Sequence, residues 1–399
     1  MPKLILDNGG YSIKAGFSTA EKPRLIPNCI SKARSERRRP FIGDQIDDCR
    51  DTSGLFFILP FQKGYMVNAD TQKTIWDYCF GKDVLDVTPT ETDIVITEPH
   101  FNFKTLQEAV CELLFEEYEF RSLCRTSSST SADYYYSITE GIQKKTSCTL
   151  VVDCGYSFTH IVPYVNGVKV TESVRRIDVG GKALTNHLKE IISYRQLHVL
   201  DETYLINQVK EDVCYVSTDF SQDVEVSKKK LSENNTIVRE YVLPDYSSIR
   251  RGYIRKLEET GKRAKDNEQI LRLNNERFTV PELLFHPSDV GIPQMGISEA
   301  IVTVIESFPE PIKHHFYDNI VLIGGTSCFP GFKERILHDV RRDASIYADT
   351  NVFLPTNPTF YAWEGAKKFS QDAEFSKYTV SRNTYNEKGL NAFAKICDI

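Results

Sequence analysis

Residues 3–17 read KLILDNGGYSIKAGF, and residues 149–164 read TLVVDCGYSFTHIVPY. Each stretch is an apolar run of β-forming residues that ends in Asp-x-Gly, followed by a tight turn and a second run that carries a polar residue. This pattern predicts two β-hairpins. Their aspartates, Asp7 and Asp153, stand at equivalent points in the two halves of the chain. The sequence therefore repeats one structural device at two distant places.

Another apolar strand and several helices are predicted between and after the hairpins. Residues 319–325, NIVLIGG, have the composition of a buried strand that ends in two glycines. Residues 105–108, TLQE, match a capping box, and the apolar residues that follow keep helical spacing. A second helix is predicted from about Leu184. Strands that alternate with helices indicate an α/β protein whose strand ends point into a shared crevice.

Length, charge and cysteine usage restrict the class of protein. A chain of 399 residues is too long for one ordinary core and suits two lobes. The net charge of -6 argues against binding nucleic acid by bulk attraction, because that requires a concentrated basic surface. The first residues are too short an apolar run for a signal peptide, and no run approaches a membrane span. Ten cysteines without a CxxC pair favour buried thiols in the cytosol or nucleus.

The two hairpin turns have the composition of a phosphate site. Gly9 and Gly10 are expected to supply positive φ, so that successive N–H groups can point at one anion. Asp7 and Asp153 are placed to hold the waters of a magnesium ion that bridges phosphates. Lys14 could reach phosphate oxygens as a point charge. One such hairpin is more often a plain β-turn, but two of them together favour a phosphate cleft between two lobes.

Short motifs in conserved order along nearly the whole chain resemble the actin family. They are Asp7-Asn8-Gly9, Lys14-Ala15-Gly16-Phe17, Asp153-x-Gly155, Thr159-His160, Val162-Pro163, Lys210-Glu211, Cys214-Tyr215-Val216, Asn275-Glu276-Arg277-Phe278, Pro281-Glu282, Gly324-Gly325-Thr326, Phe329-Pro330-Gly331 and Tyr361-Ala362-Trp363-Glu364-Gly365. The resemblance implies an α/β, actin-like two-lobed fold with a central nucleotide cleft and four subdomains. We expect subdomain 1 at 1–28, 68–146 and 359–399, subdomain 2 at 29–67, subdomain 3 at 147–179 and 287–358, and subdomain 4 at 180–286.

The resemblance also implies which residues meet a nucleotide. The expected ligand is ATP with Mg²⁺, with the metal held through water by Asp7 and Asp153. The residues expected to contact the cofactor are Asp7, Gly9, Gly10, Lys14, Asp153, Gly155, Lys210, Glu211, Gly324, Gly325 and Thr326.

Four segments resemble a nuclear branch of the family rather than conventional actin. They are residues 54–65 (GLFFILPFQKGY), 97–103 (TEPHFNF), 114–118 (LFEEY) and 191–197 (IISYRQL). This branch implies a subunit of the remodelling complex that exchanges a variant histone into nucleosomes, with ties to heterochromatin. The expected partners are the other subunits, and nucleosomes or histones through the complex. The expected location is the nucleus, and a cytoplasmic pool is compatible with the resemblance. No membrane partner is expected.

Several departures from actin occur at residues that actin uses to bind and hydrolyse the nucleotide. Gly10-Tyr11 stands where actin has Ser-Gly, and Tyr156-Ser157 where it has Asp-Gly, which removes a hydroxyl and one acid. The glutamine that positions the attacking water aligns with Ser128, and the lysine beside the adenine with Thr359. Losing a water-positioning or proton-handling group costs about 10²–10⁴ in rate. We therefore expect no catalytic residues, and a nucleotide that is structural rather than turned over.

Two charged stretches are predicted to be exposed loops. Residues 31–39, SKARSERRR, hold five cations and one acid. They lie where actin has a longer loop that makes filament contacts, so filament formation is not expected. Residues 246–268 hold seven basic and four acidic side chains and form an insertion relative to actin. A partner contact could be added there, to an acidic protein surface in preference to nucleosomal DNA.

Three functions remain open from the residues. The first is the non-catalytic nuclear subunit. The second is an enzyme, either a slow ATPase of actin type acting in the cytoskeleton or nucleus, or a small-molecule kinase, although no carboxylate base for a kinase is apparent. The third is a chaperone-type ATPase, which would need a further peptide-binding domain.

Overall fold

The computed structural model describes residues 2–36, 39–140, 147–231, 234–264, 268–345 and 348–393. Twenty strands are found in these ranges. They are β1 Leu4–Asn8, β2 Ser12–Phe17, β3 Arg24–Pro27, β4 Ile30–Lys32, β5 Pro40–Ile42, β6 Phe56–Ile58, β7 Phe61–Gln62, β8 Tyr65–Met66, β9 Asp93–Glu98, β10 Ser122–Ser127, β11 Cys148–Cys154, β12 Thr159–Val165, β13 Val168–Lys169, β14 Arg175–Ile177, β15 Arg239–Val242, β16 Tyr253–Ile254, β17 Ile270–Leu273, β18 Ile320–Ile323, β19 Val352–Phe353 and β20 Val380–Ser381.

The α-helices in the described ranges are α1 Ala69–Phe80, α2 Lys104–Glu112, α3 Ser128–Ile138, α4 Gly181–Arg195, α5 Thr203–Val213, α6 Phe220–Ser227, α7 Glu276–Glu282, α8 Ile297–Glu306, α9 Glu310–Tyr317, α10 Phe332–Asp343, α11 Tyr361–Ser370 and α12 Arg382–Lys388. A π-helical turn, Leu113–Glu117, extends α2. Short 3-10 helices lie at Gly43–Asp48, Pro89–Glu91, Thr171–Ser173, Leu257–Glu259, Pro287–Val290, Gly325–Cys328, Phe375–Tyr378 and Gly389–Phe393.

Both predicted hairpins are confirmed, and each lies in its own large sheet. The first sheet has the order β20-β10-β9-β1-β2-β3, and the second runs β13-β12-β11-β18-β19 with β14 on β12. In each, the hairpin is antiparallel and its first strand pairs in parallel with a later strand. Asp7 lies opposite Lys14 in the first hairpin, and Asp153 lies opposite His160 in the second. The two sheets thus carry the acids at matching strand ends.

Each large sheet is buried on both faces, as its near-continuous apolar strands require. In β1, Leu4 and Leu6 face a cluster with Trp76 and Phe115, while Ile5 faces a cluster with Trp363. In β11, alternate residues likewise divide between two separate clusters. The predicted helix at Leu184 is α4, whose Leu184, Leu188 and Ile192 are fully buried in the larger of these clusters. The sequence therefore folds into two layered units.

Helices α3 and α11 connect the two sheets. α3 follows β10 of the first sheet, but its Ala132 and Tyr136 pack against the second. α11 places Tyr361 in that same cluster and Trp363 under the first sheet, where the Trp363 indole donates to the carbonyl of Ile5 at 3.2 Å. The helices approach so closely that a Cβ on Gly365 would lie 1.9 Å from the Ser131 carbonyl oxygen. These observations support the predicted α/β two-lobed architecture; the expected subdomain limits stay a prediction.

Two local predictions were wrong. The TLQE motif does not cap α2, because the helix begins at Lys104 and Phe103 at its N-cap makes no side-chain cap bond. Residues 246–268 are not simply an exposed loop where the structure describes them, since β16 extends a three-stranded sheet of order β16-β15-β17 and Arg255 is buried. In 31–39, Ser31 and Lys32 belong to β4, and positions 37 and 38 lie outside the described residues. The count of charges failed for 246–268 because Arg255 is buried in an ion pair with Glu240 of β15.

Two expectations drawn from composition can be compared with the structure. The cysteines Cys79, Cys111 and Cys214 are buried free thiols, as predicted. Within the described ranges, none of the helices has the length and apolar character needed to span a bilayer.

Candidate functional site

A cavity of about 590 Å³ lies between the two sheets, at the ends of β1, β11 and β18. Residues from both hairpins, from α4 and α5 and from the turn after β18 line it. All the residues that the sequence predicted to meet a nucleotide are among them: Asp7, Gly9, Gly10, Lys14, Asp153, Gly155, Lys210, Glu211, Gly324, Gly325 and Thr326. The fold therefore brings together side chains that are more than 300 positions apart in the sequence.

The first hairpin holds a fixed carboxylate. Asp7 Oδ2 lies 3.1 Å from Lys14 Nζ, and Asp7 Oδ1 accepts a hydrogen bond of 2.7 Å from Thr97 Oγ1. The Thr97 hydroxyl oxygen also accepts from the Asn8 amide at 3.0 Å. Asp7 is buried, and both of its oxygens are engaged. Its lysine and threonine partners hold the carboxylate at the strand end.

The second hairpin presents a carboxylate of different character. Asp153 has its pKa raised to about 6, first because burial penalises its charged form and second because Asp7 repels it. Asp153 also lies against the turn after β18, where Gly324 has φ +90 and a Cβ would collide with the Cys154 carbonyl oxygen. Only glycine permits this close approach. The strand ends of β11 and β18 are thereby held together.

The acids fit a divalent cation. Asp7 and Asp153 line the same cavity, and the charge of Asp7 raises the cost of ionising Asp153, which a bound cation would relieve. Oxygen ligands and retained waters are what Mg²⁺ prefers. Across the cavity the described charged groups are four carboxylates and two ammonium groups: Asp7, Glu98, Asp153, Glu211, Lys14 and Lys210. A polyphosphate would therefore need the cation to offset this acidic lining.

The turn glycines do not adopt the positive φ that the sequence predicted. Among the described residues with positive φ, neither Gly9 nor Gly10 appears. The Gly9 amide donates to the Asp7 carbonyl at 3.2 Å, and the Gly155 amide donates to the Phe158 carbonyl at 3.0 Å. The prediction of positive φ was wrong because both turns close through their own backbone hydrogen bonds.

Lys210 is a buried structural cation in this conformation. Its Nζ donates to the Gly181 carbonyl at 3.0 Å, to Thr185 Oγ1 at 2.8 Å and to Asn207 Oδ1 at 2.9 Å. All three protons are thus used by neutral acceptors. Burial lowers the pKa of Lys210 to about 8. The neighbouring Glu211 accepts from Asn207 Nδ2 at 2.7 Å and lines the cavity.

Two tyrosines meet across the cavity. The Tyr11 ring, in the first hairpin turn, lies 4.8 Å from the Tyr156 ring in the second, with the ring planes at 39°. Asn207 Nδ2, on α5, donates to the Tyr11 hydroxyl at 3.0 Å. The Tyr11 side chain thus contacts two residues of the second lobe. We call Tyr11, Tyr156 and Asn207 the tyrosine clasp.

The sequence profile of the actin family matches residues 1–398. The chain belongs to the actin family. It is 44% identical over 392 residues to Actin-related protein 6 of Drosophila melanogaster, covering 97% of each chain. It is 41% identical over 409 residues to the Actin-like protein ARP6 of Cryptococcus neoformans, covering 97% of this chain and 83% of that one. It is 33% identical over 412 residues to Actin-related protein 6 of Arabidopsis thaliana, covering 97% of each.

Two positions that the resemblance aligns with functional residues of actin lie in the same cavity. Ser128, which the resemblance aligns with the water-positioning glutamine, lines it at the start of α3. Thr359, which the resemblance aligns with the lysine beside the adenine, lines it 3.8 Å from the Cys328 thiol. A Cβ on Gly325 would meet nothing closer than Thr359 Oγ1 at 4.0 Å, so this end is open. The resemblance assigns that open end to the adenosine.

Two histidines lie together in the floor of the cleft, a pairing that the sequence analysis did not predict. His100 Nε2 lies 2.6 Å from Ser129 Oγ, and its ring lies 5.2 Å from the ring of His160. Burial lowers the pKa of both rings, that of His160 to about 4, so both are neutral at pH 7. His160 Nε2 is buried without a hydrogen-bond partner among the described residues. Only the spatial meeting of two distant segments could identify this pair.

A second bridge between the lobes was also missed. The Gly54 amide donates to both Glu202 carboxylate oxygens, at 3.0 and 3.1 Å, and Arg34 lies 3.5 Å from Asp201. Gly54 has φ +56, and a Cβ there would crowd the Arg34 guanidinium. The one sequence signal that could have indicated this contact is a glycine within a charged, polar stretch. The segment before β6 is therefore fastened to the helix that carries Asn207 and Lys210.

Proposed function

We propose that this chain is a non-catalytic, nucleotide-holding subunit of a nuclear, ATP-dependent chromatin-remodelling complex that exchanges a variant histone. The observation that carries the proposal is the cleft itself. It keeps Asp7, Lys14 and Asp153, whereas Ser128 stands at the water-positioning place. A serine hydroxyl is shorter than a glutamine amide and less able to aim a water molecule at a phosphate. Binding and turnover are separable, and here the binding groups are kept.

The tyrosine clasp supports a retained rather than a cycling ligand. Tyr11 and Tyr156 stand where the family resemblance places small and acidic residues of the two phosphate turns. Their contact spans the cleft and adds a link between lobes that must break before the lobes separate. A ligand present at about 1,000 times its dissociation constant stabilises a fold by about 4 kcal/mol. Because a bound ligand stabilises the fold without being hydrolysed, we assign ATP with Mg²⁺ a structural role.

The expected absence of filaments has support in the first lobe. The predicted subdomain 2 has a small sheet of order β5-β4-β6, and its core of Phe41, Leu55 and Ile46 packs against Tyr204 of α5. Together with the Gly54 to Glu202 contact, this ties the region to the other lobe. The free, extended loop that a filament contact would need is shortened here. A tied region favours a monomeric subunit.

The nuclear setting and the remodelling partners are proposals drawn from family resemblance. The relatives found here carry the names Actin-related protein 6 and Actin-like protein ARP6. The four segments at 54–65, 97–103, 114–118 and 191–197 resemble the same nuclear branch. We infer that the chain acts in the nucleus with other remodeller subunits, and reaches nucleosomes or histones through them, with links to heterochromatin.

A purified preparation of the full chain tests the proposal. Bound nucleotide is released by denaturation and identified, and phosphate release is followed with added ATP and Mg²⁺. We expect one nucleotide per chain, no steady turnover and co-sedimentation with remodeller subunits. Filaments on adding magnesium and salt, or brisk phosphate release, would refute the scaffold role.

One observation favours a second function, a slow ATPase of actin type. His160 lines the cleft together with Asp153, and its buried Nε2 has no hydrogen-bond partner among the described residues, so this nitrogen is left to exchange a proton within the cleft. Slow turnover that Asp153→Asn abolishes, while nucleotide is still bound, would favour this alternative. Turnover that is absent in both the parent and the variant supports the non-catalytic role.

A further inference from the structure

The insertion is anchored from within by a buried arginine. Arg255 is only 5% exposed, and its guanidinium donates to Glu240 Oε2 at 2.9 Å. It also donates to the backbone carbonyls of Lys262 and Arg263, at 3.1 and 3.0 Å. The Gly261 amide donates to Glu240 Oε1 at 3.1 Å. The stretch 256–263 is therefore wrapped around one ion pair and holds a defined shape.

The beginning of the insertion is equally well determined. Asp245 accepts hydrogen bonds from the amides of Ser247, Ser248 and Ile249, all within 2.9 Å. The strand β16 then pairs with β15, with Tyr253 opposite Val242. A Cβ on Gly252 would lie 2.3 Å from the Tyr241 ring, so only glycine fits the approach to the sheet. The insertion is thus part of the sheet, because its strand β16 pairs with β15.

The outer side of this structure combines cations with exposed leucines. Leu257 is 63% exposed and Leu231 is 40% exposed. Leu231 belongs to the same surface, because a Cβ on Gly261 would lie 2.4 Å from its Cδ2. The exposed cations on this surface that have no acidic partner among the described residues are Lys229, Lys256, Lys262 and Arg263. We call these six residues the basic-leucine surface.

We propose that the basic-leucine surface is a docking site for an acidic, leucine-bearing segment of a partner protein. The four cations without an acidic partner among the described residues outnumber the acids of the same stretch, Glu258 and Glu259, and therefore attract an acidic chain. Complementary charge sets the encounter and the orientation. The exposed leucines favour a protein partner over a nucleic acid. The cations alone would bind a nucleic-acid backbone. Exposed apolar side chains gain energy only when a partner covers them. The rigid anchoring through Arg255 lowers the entropy lost on binding.

This inference rests on the proposed subunit role only in assuming that protein partners exist. It is tested on the full chain with three fluorescent probes: an acidic peptide of Asp-Glu-Leu repeats, a matched peptide of Asp-Glu-Ser repeats and a short DNA duplex. Fluorescence anisotropy is measured at low and physiological salt. We expect the leucine peptide to bind about tenfold or more tightly than the serine peptide. Tighter binding of DNA than of the leucine peptide would overturn the proposal.

Two variants assign the binding to this surface. Lys262→Glu combined with Arg263→Glu leaves the backbone carbonyls that hold Arg255, so the fold is retained. It should weaken the leucine peptide about tenfold or more. Leu257→Ser should remove the preference for leucine over serine. The matched control, Lys22→Glu with Lys368→Glu, makes the same charge change at exposed lysines elsewhere and should have little effect. Equal weakening by the control would overturn the assignment.

Co-sedimentation separates this inference from the proposed function. If the parent chain does not join remodeller subunits at all, the subunit role fails. If the parent joins them, but the Lys262→Glu, Arg263→Glu variant binds peptide and subunits as tightly as the parent, the docking inference alone fails.

Discussion

The rings of Tyr11 and Tyr156 lie 4.8 Å apart, although they belong to different hairpins and different sheets. Each occupies a turn that the family resemblance assigns to phosphate binding. Asn207 fixes the Tyr11 hydroxyl from α5. The contact joins the lobes at the cleft, so separating them costs the ring contact and a hydrogen bond.

Tyr11→Gly should speed the release of bound nucleotide. The ring pair contributes about 0.5–1.5 kcal/mol and the hydrogen bond about the same. Losing both should raise the dissociation rate roughly tenfold or more, measured by chasing a fluorescent ATP analogue with unlabelled ATP. Tyr11→Phe, which keeps the ring and removes the hydroxyl, should give a smaller increase. Tyr194→Ser, at a fully exposed tyrosine, is the control, and an unchanged rate for Tyr11→Gly would contradict the role of the clasp.

Nucleotide binding should depend on a divalent cation. The described lining carries four carboxylates against two ammonium groups, and one of these, Lys210, is already saturated by neutral acceptors. Removing Mg²⁺ with EDTA should leave the phosphates facing this acidic lining and weaken ATP binding by about tenfold or more. A tenfold weakening corresponds to a loss of about 1.4 kcal/mol of binding free energy. Equilibrium dialysis measures this directly. Affinity that is unchanged in EDTA would show that the acids do not act through a metal.

The buried Asp133 of α3 should make stability depend on pH. Burial raises its pKa to about 7 from an ordinary 3.8, so the folded state holds this proton more tightly than the unfolded state does. Its contribution to stability is therefore present at acidic pH and is lost as pH rises from about 4 to about 7. Asp133→Asn stays neutral and should be more stable than the parent at pH 8.

Urea unfolding across this pH range tests the Asp133 prediction. Each pKa unit corresponds to about 1.4 kcal/mol, so the gain at pH 8 should be roughly 1–4 kcal/mol. The exposed Asp83→Asn variant should follow the parent at every pH. A parent and an Asp133→Asn variant with the same pH dependence would show that this carboxyl does not titrate as its burial indicates.

Arg255→Ala should destabilise the lobe that contains the insertion. The variant leaves Glu240, which is only 1% exposed, without one of its two arginine partners. Because Arg272 still pairs with Glu240, the variant loses a hydrogen bond to a charged group rather than leaving that group unpaired, which costs about 1.5–3 kcal/mol. Thermal unfolding should show the loss, whereas the exposed Arg250→Ala should leave the midpoint unchanged. A midpoint equal to that of the parent would mean that the insertion is not held by this ion pair.

Local sequence determined the hairpins and the strand ends of this protein. The runs LILD and LVVD are apolar enough to be buried and end in an acid, so each forms a strand whose acid, one residue before the strand end, lines the crevice. Family motifs then located the cavity-lining residues, including Ser128 and Thr359. These features could be predicted because strand, turn and motif are encoded within a few neighbouring positions.

The tertiary structure alone decided how those residues are used. It placed Tyr11 against Tyr156, saturated Lys210 with three neutral acceptors and buried Arg255 within a charged stretch. Each of these depends on a partner from a distant segment, and the burial and charge of a side chain depend on that partner. A local pattern encodes the type of side chain and its backbone conformation. The groups that it meets are selected only when the two lobes pack together.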